Sequence, residues 1–312
     1  MELPPTNLSP QQALESQHRL VLIGTEGEIS LLHVRRMIEI DPPKRPFSGN
    51  ITNATMLGDH HLAATWVERE IGIARMAVLD LRQPLEDGPD LPSLRHAKDS
   101  QKLDLHHVKG SLWSHILDSE PLAICEFQGN LVFCTLRRGI YCVDAESNEV
   151  WRRKELHWKG IEELIDGDII VQLLAVDNSV WAFSLGGGWA ELDGETGEIL
   201  RKGVIRLGAK IERVWCANGE CLLSLSHETV AKWSPENNTI EILNSNGPVN
   251  DAQWYDGRWL LTGWREDLIW GEDGLMSQPR LEIGLLLLQH PEYGFIVLDN
   301  RGQWTAFAHD II

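Results

Sequence analysis

The sequence predicts an all-β protein, a single β-propeller of seven four-stranded antiparallel blades, with six or eight blades as the alternatives. The first observation is a short apolar strand that recurs seven times in 312 residues, with successive starts 42, 69, 49, 41, 38 and 36 residues apart. All but one of these spacings are close to the roughly 40–45 residues that a four-stranded blade requires. The second observation is that this strand runs into a tight turn and another strand, which indicates hairpins.

The recurring strand defines the predicted extent of the propeller. Its first occurrence makes residues 19–312 the predicted propeller and residues 1–18 a polar lead. Strand material near the N-terminus is expected to complete the last blade, because an open propeller leaves two sheet edges exposed. Whether Arg19–Gly24 is that closing strand or begins a blade of its own stays open. The seven strands begin at Leu20, Leu62, Leu131, Val180, Cys221, Trp259 and Phe295.

The longest spacing contains an irregular, Pro-rich insertion at about residues 82–110. Three prolines between Gln83 and Pro92 argue against a central strand there. A loop of this length in a compact domain is often functional, but a tolerated surface insertion explains it equally well. A shorter Pro-rich stretch, Asp41–Pro46, is predicted to be a stiff crossing between the first two units.

Two units show the internal pattern most clearly, residues 130–151 and 179–200. In each, two β-rich runs flank a Gly-containing turn, and the second run ends at an aspartate, Asp144 or Asp193. An aspartate at such a corner can accept hydrogen bonds from backbone amides two residues later and hold the chain as it reverses. We therefore expect both aspartates to stabilise the turn that leads to the outer strand.

These corners resemble the repeat of quinoprotein (pyrroloquinoline-quinone-type) propellers, in which Asp, Gly and Trp surround the same turn. A separate stretch, residues 249–263, resembles the inner strand pair of a WD40 blade. The two resemblances imply the propeller superfamily, and quinoprotein enzymes would further imply a quinone and calcium. No cofactor is expected, because the chain lacks the adjacent cysteines of those enzymes. The matching residues are Asp144 and Trp151, with Asn148 in place of Gly, and Asp193, Thr196 and Gly197, with Leu200 in place of Trp.

Composition argues against several classes of partner. The chain has 28 Lys and Arg against 46 Asp and Glu, a formal net charge of −18. Such a chain is repelled by phosphate backbones and anionic lipids, so nucleic acid is not expected as a partner. The apolar run Leu285–Leu288 is far shorter than a spanning helix, and no export signal is visible, so no membrane insertion and a cytoplasmic location are predicted.

The sequence contains few patterns that are typical of catalytic, metal-binding or phosphate-binding sites. Five cysteines have no framework spacing and no Cys-x-x-Cys, so they are expected to act as small apolar side chains. The pairs His60–His61 and His106–His107 are adjacent, and neighbouring strand residues point to opposite faces, which disfavours a shared metal. The Gly186–Gly188 cluster fits a hairpin turn better than a phosphate cradle. No catalytic or metal-binding residue is predicted, and the sequence leans against an enzyme.

The function predicted is a protein–protein interaction platform, a scaffold or subunit of a larger cytoplasmic complex. Its partners would be other protein subunits, and no small-molecule ligand is expected. The alternative is a propeller enzyme, a metal-assisted hydrolase or lyase with its site in the central channel. The side chains proposed for protein binding are Asp90, His107, Arg137 and Arg138. The 13 tryptophans are expected to fill the wedges between blades rather than bind a ligand.

Overall fold

A computed structural model describes residues 3–16, 19–161 and 164–307, and its fold is a seven-bladed β-propeller. Seven antiparallel sheets follow one another along the chain, and within each sheet consecutive strands pair as hairpins. The first strand of every blade contacts the first strand of the next, and the circle closes between the last blade and the first. The predicted fold class and blade number are therefore confirmed.

Five blades have four strands and the two terminal blades have three within the described ranges. Blade 1 contains β1 (Pro10–Glu15), β2 (Arg19–Gly24) and β3 (Ile29–His33), and blade 7 contains β24 (Gly284–His290), β25 (Gly294–Asp299) and β26 (Trp304–Ala306). The others are blade 2 with β4 (Asn50–Leu57), β5 (His61–Glu68), β6 (Ile73–Asp80) and β7 (Ser111–Leu117); blade 3 with β8 (Pro121–Phe127), β9 (Asn130–Thr135), β10 (Gly139–Val143) and β11 (Glu149–Arg153); blade 4 with β12 (Ile170–Val176), β13 (Ser179–Ser184), β14 (Gly188–Asp193) and β15 (Ile199–Val204); blade 5 with β16 (Ile211–Ala217), β17 (Glu220–Leu225), β18 (Thr229–Ser234) and β19 (Thr239–Asn244); and blade 6 with β20 (Val249–Tyr255), β21 (Arg258–Gly263), β22 (Glu266–Gly271) and β23 (Gly274–Pro279).

The strand that recurs in the sequence is the second strand of each blade, not the first. The second strands, such as β9 and β17, are buried along almost their whole length. A strand enclosed on both faces by neighbouring blades reads as a continuous apolar run. The first strands, such as β12 and β20, alternate between buried and half-buried positions because one side faces the channel. Their mixed composition explains why the sequence did not reveal them as the start of each unit.

The core is divided into seven hydrophobic clusters, one between each pair of neighbouring blades in the described chain. The cluster between blades 4 and 5 contains Trp181, Phe183 and Trp233, and the one between blades 7 and 1 contains Leu298 and Leu20. Apolar burial, which contributes about 25 cal/mol per Å², therefore stabilises every joint of the ring, and the clusters of blades 1–2 and 3–4 are the largest. Tryptophans in these wedges confirm that the aromatic residues pack between blades.

The predicted aspartate corners are present at the ends of two third strands. Asp144 Oδ1 accepts hydrogen bonds from the amides of Glu146 (3.0 Å) and Asn148 (2.7 Å). Asp193 Oδ1 accepts from the amide and the hydroxyl of Thr196, both at 2.8 Å, and these bonds lower the pKa of Asp193 below its ordinary value. Both turns are held as expected.

Each of these corners receives a tryptophan from the outer strand of the preceding blade. Trp113 Nε1 donates to the carbonyl of Ala145, and Trp151 Nε1 donates to the carbonyl of Gly194, both at 2.9 Å. The second contact also needs a glycine, because Gly197 has φ +70° and an added Cβ would lie 2.5 Å from the Trp151 ring. The corner motif is therefore an inter-blade joint.

The N-terminal residues differ from the prediction. Strand β1 lies within the segment that the sequence analysis set apart as a polar lead, and Arg19–Gly24 is the second strand of blade 1. The residues before β1 lie against the last blade, where the Thr6 amide donates to the carbonyl of Gly302 at 2.9 Å and Leu8 packs with Trp304. Polar Gln11 and Gln12 face the channel, so β1 lacks the apolar pattern of a core strand.

The insertion connects β6 to β7 and contains a helix, α1 (Leu91–Asp99), and a short 3-10 turn (Leu103–Leu105). Asp90 caps the helix, with Oδ1 accepting from the Ser93 amide at 2.9 Å. Pro92 is tolerated because the amides of the first helical turn have no intrahelical acceptor. The buried side chains of Leu94 and Val108 join the cluster between blades 1 and 2, so the insertion is part of the packed structure.

Candidate functional site

The channel is the place where side chains from all seven blades converge. A cavity of about 450 Å³ is lined by the first strands of the blades, with amides and apolar groups predominating. Several amides tie neighbouring blades together. Gln12 Nε2 donates to the carbonyl of Ala54 (3.1 Å), and Gln253 Nε2 donates to the carbonyl of Leu287 (2.7 Å). The channel wall is therefore cross-linked by side chain to backbone bonds.

Two charged groups of the channel, Asp251 and Arg213, belong to the same network, whereas Glu212 lines the same cavity with an exposed side chain. Asp251 Oδ2 accepts from the Leu287 amide of the next blade at 2.8 Å, and its Oδ1 accepts from the Ala252 amide at 2.9 Å. Arg213 donates to the carbonyl of Asn250. Burial raises the pKa of Asp251 to about 6, although the hydrogen bonds and nearby Arg213 act in the opposite direction. Burial likewise lowers the pKa of Arg213. These groups hold blades 5, 6 and 7 together.

The raised pKa of Asp251 predicts a defined pH dependence of stability. The folded protein keeps the proton of this carboxyl up to about pH 6, whereas an unfolded Asp releases it at about pH 4. The folded state therefore binds more protons across this window, and its free energy of unfolding decreases as the pH rises. Between about pH 4 and about pH 6, the free energy of unfolding of the wild type should fall by about 1–3 kcal/mol more than that of Asp251→Asn. Urea unfolding of both proteins at several pH values measures the difference, and parallel curves would contradict the prediction.

One face of the disc carries the turns between second and third strands together with the linkers between blades; we call it the linker face. Backbone bonds join each such turn to the preceding linker, for example Leu136 N to Glu120 O (2.8 Å) and Leu185 N to Ile169 O (2.8 Å). Large apolar side chains are exposed on this face. Ile165 is 86% exposed, Trp264 46% and Leu281 90%.

The structure places two of the predicted binding residues on the linker face. Arg137 and Arg138 form the turn between β9 and β10, where Arg137 has φ +58°. The Arg138 guanidinium pairs with Asp118 of the preceding linker at 3.1 Å, and both side chains are exposed. The same linker continues to Glu120, which pairs with Arg69 of blade 2 at 3.3 Å.

The other two predicted residues lie on the insertion. Asp90, besides capping α1, lines a cavity of about 570 Å³ between blades 1 and 2 that also includes Arg69. Capping bonds to Ser93 lower the pKa of Asp90. His107 lines a separate cavity of about 520 Å³ between the insertion and β7. Asp90 shares its cavity with Arg69, and Arg69 pairs with Glu120 of the linker that also carries the partner of Arg138. His107 lies in the other cavity, beside β7.

Within the described ranges, no group of three or more His, Cys, Asp and Glu side chains lies close enough together to hold a metal ion.

The sequence analysis did not predict the channel residues Gln12, Arg213 and Asp251. They lie on first strands, whose mixed polarity resembles that of surface loops in a sequence. Their recurrence at a fixed distance before each apolar second strand could have identified them.

Two of the five cysteines form a disulfide, which corrects the expectation that all are apolar filler. Cys216 and Cys221 lie opposite each other at the ends of β16 and β17, with a Cα–Cα distance of 4.1 Å. Between them Asn218 and Gly219 both have positive φ, as an Asn-Gly two-residue hairpin turn requires. That dipeptide in the sequence places the two cysteines in register and could have predicted their pairing.

The other three cysteines are buried in blade 3. Burial raises the pKa of Cys134 to about 12 and of Cys142 to about 11, and it raises that of Cys125 as well. Thiols react as thiolates, so these groups are expected to be inert in the folded protein. We expect a thiol reagent under non-reducing conditions to modify none of the three rapidly in buffer and all three in denaturant. Five modified cysteines in denaturant without reductant would contradict the disulfide.

Comparison with known proteins supports the fold. No protein-family model matches the sequence, and no curated protein does. Among solved structures, the WD40 β-propeller domain of Doa1 is similar with a TM-score of 0.64 at 9% identity, covering 99% of this chain and 95% of that one. The β-propeller domain of Cps50 (Swd1) from Myceliophteria thermophila has a TM-score of 0.62 at 12% identity, covering 96% and 98%. BamB from Moraxella catarrhalis has a TM-score of 0.56 at 11% identity, covering 93% and 82%.

These identities establish a shared fold and nothing finer. The neighbours include WD40 propellers and BamB, in keeping with the two repeat resemblances found in the sequence. None of the helices within the described ranges has the length and apolarity needed to cross a bilayer.

Proposed function

We propose that this protein is a platform for protein partners, a scaffold or subunit of a larger complex. The observation that carries the proposal is the linker face, where Ile165, Trp264 and Leu281 are exposed on turns and linkers that the closed ring holds in place. Large apolar side chains presented on a rigid frame lower the ordering cost of association. Aromatic anchors such as Trp264 are typical of the residues that dominate interface energies.

The chemistry of the channel supports binding over catalysis. The less exposed of its two carboxylates, Asp251, and its guanidinium Arg213 are engaged with backbone groups of neighbouring strands, and the other carboxylate, Glu212, is exposed. A general acid or base needs a free site within hydrogen-bond reach of a substrate. Groups that act as inter-blade ties are poorly suited to that role, and the channel amides of Gln12 and Asn250 are occupied in the same way.

Native mass spectrometry of the protein purified from its own cells tests this proposal. We expect a partner protein at fixed stoichiometry, and Trp264→Asp or Leu281→Asp to reduce its recovery. Arg137→Ala together with Arg138→Ala tests the predicted basic turn on the same face. A protein that is monomeric and free of partners after gentle isolation at several salt concentrations would contradict the platform proposal.

The predicted cytoplasmic location is a separate proposal, and the disulfide weighs against it. Disulfides such as Cys216–Cys221 persist in oxidising compartments and are rare where glutathione keeps thiols reduced. Lysing cells directly into denaturant that contains an alkylating reagent and no reductant decides between the two. Five alkylated cysteines support a reducing cytoplasm, and three support an oxidising compartment.

A further inference from the structure

A cavity of about 990 Å³ lies at the outer side of blade 4. The linker from blade 3, the end of β15 and the connection to blade 5 form its walls. Its apolar lining includes Trp158 and Ile161 from the linker and Val204 and Leu207 from the opposite wall. Trp158 is fixed in place, because its Nε1 donates to the carbonyl of Trp189 at 2.8 Å. We call this the blade-4 cavity.

Three exposed cations surround the blade-4 cavity. Lys159, Lys202 and Arg206 line it, and none of them forms an ion pair within the part of the chain that the structure describes. Lys202 Nζ reaches only the carbonyl of His157, at 3.4 Å. His157 itself pairs with Asp168 at 3.1 Å. The chain as a whole has a net charge of −18, so a cavity opening with three cations that lack an ion pair in the described chain differs from the rest of its acidic surface.

The strand beside the cavity has a free edge. β15 is the outermost strand of blade 4, and no described strand pairs with its outer side. Its residues Ile199–Lys202 are exposed. An exposed strand edge can pair with the backbone of an extended peptide, while pockets alongside receive alternate side chains.

We propose that the blade-4 cavity docks an extended, acidic segment of a partner protein. Carboxylates of that segment pair with Lys159, Lys202 and Arg206, and an aliphatic side chain enters the cavity against Trp158 and Leu207. The inference rests on the proposed platform function and names the chemistry of one partner. A nucleic acid fits less well, because its phosphate backbone offers no aliphatic side chain for the apolar wall of the cavity.

Selection from a random twelve-residue peptide library displayed on phage, against the full-length protein, tests the proposal. We expect selected peptides to be enriched in Asp and Glu alternating with aliphatic residues. Fluorescein-labelled synthetic versions should bind Lys159→Glu/Lys202→Glu/Arg206→Glu at least about tenfold more weakly than wild type, because each attractive charge becomes repulsive. Raising NaCl from about 50 to about 500 mM should weaken wild-type binding, since these charges are exposed to solvent.

The matched control is Arg35→Glu/Arg36→Glu/Lys102→Glu, which makes the same change in net charge at exposed positions outside the cavity lining. This variant should bind the peptides like wild type. Selected peptides without acidic enrichment, equal affinity for both triple variants, or displacement of the peptides by a single-stranded RNA of comparable affinity would each overturn the proposal.

The same variants separate this proposal from the platform function. If wild type brings down a stoichiometric partner from its own cells and the cavity variant retains it, while the selected peptides also bind both alike, the cavity proposal fails and the platform proposal stands. If wild type has no partner in cells, the platform proposal fails, and the peptide affinities still decide whether the cavity recognises acidic segments.

Discussion

Replacing Trp233 with alanine is expected to lower the free energy of unfolding by about 3–5 kcal/mol. Trp233 is 1% exposed and lies in the cluster between blades 4 and 5. Its ring centroid is 5.1 Å from that of Trp189 and 6.2 Å from those of Trp181 and Phe183. Removing it leaves a cavity that these rigid rings cannot fill, so both the transfer free energy and the packing contacts are lost.

Chemical denaturation with urea, followed by circular dichroism, measures the loss. Trp233→Phe separates packing from hydrogen bonding, because it keeps a ring but removes the bond from Nε1 to Asn238 Oδ1 at 3.0 Å. That variant should lose less than the alanine variant. The control is Trp264→Ala on the linker face, which should lose clearly less stability than Trp233→Ala because Trp264 is 46% exposed. A loss at Trp233 no larger than at Trp264 would show that the blade 4–5 wedge collapses around the gap.

The propeller could be predicted from sequence because its second strands are enclosed on both faces. Strands such as β13 and β21 therefore have an unbroken apolar run at their centre and stand out as a repeat. Channel-facing first strands carry polar residues, and β1, with the sequence Pro10-Gln-Gln-Ala-Leu-Glu15, has no pattern that distinguishes it from a surface segment. The repeat therefore gave the number of blades but not where each begins.

Helix α1 was missed for a local reason. Prolines in the insertion exclude a strand, but Pro92 in the first turn is compatible with a helix capped by Asp90. A proline that excludes a strand and a proline that begins a helix look alike in the sequence unless the capping residue before it is recognised. Because Leu94 and Ala97 are the buried residues of this helix, its apolar pattern is too short to be recognised from spacing alone.

The candidate sites were least predictable because they join residues that are distant in sequence. Lys159, Lys202 and Arg206 surround one cavity only because β15 returns alongside the linker from blade 3. Arg213 and Asp251 meet across two neighbouring first strands. In contrast, Arg137 and Arg138 were noticed as adjacent basic residues, although one of them proves to be engaged by Asp118. Two adjacent arginines are therefore easy to select from the sequence as a binding site, although Asp118 neutralises part of the positive charge of this turn.

Replacing Arg280 with methionine is expected to lower the free energy of unfolding by about 3–5 kcal/mol, because it removes the buried guanidinium that pairs with the buried carboxylate of Asp267. The two side chains are 9% and 2% exposed, and Arg280 Nη1 lies 2.6 Å from Asp267 Oδ2. Asp267 Oδ1 accepts from the hydroxyl of Thr262 at 2.7 Å. Arg280 also donates to Thr305 in β26. The guanidinium therefore bridges blade 6 to blade 7.

A double-mutant cycle with Asp267→Asn measures the coupling between the two charges. Once the carboxylate is neutral, loss of the guanidinium no longer breaks a charge pair, so the double variant should be more stable than the sum of the single losses implies. The control pair is Arg138–Asp118, which is exposed and should contribute less than about 1 kcal/mol. Additive losses at Arg280 and Asp267 would mean that the arginine stabilises the protein through blade 7 instead, and Thr305→Val would then reproduce most of its effect. A strong coupling would show that the joint between blades 6 and 7 depends on a buried charge pair in addition to its apolar cluster.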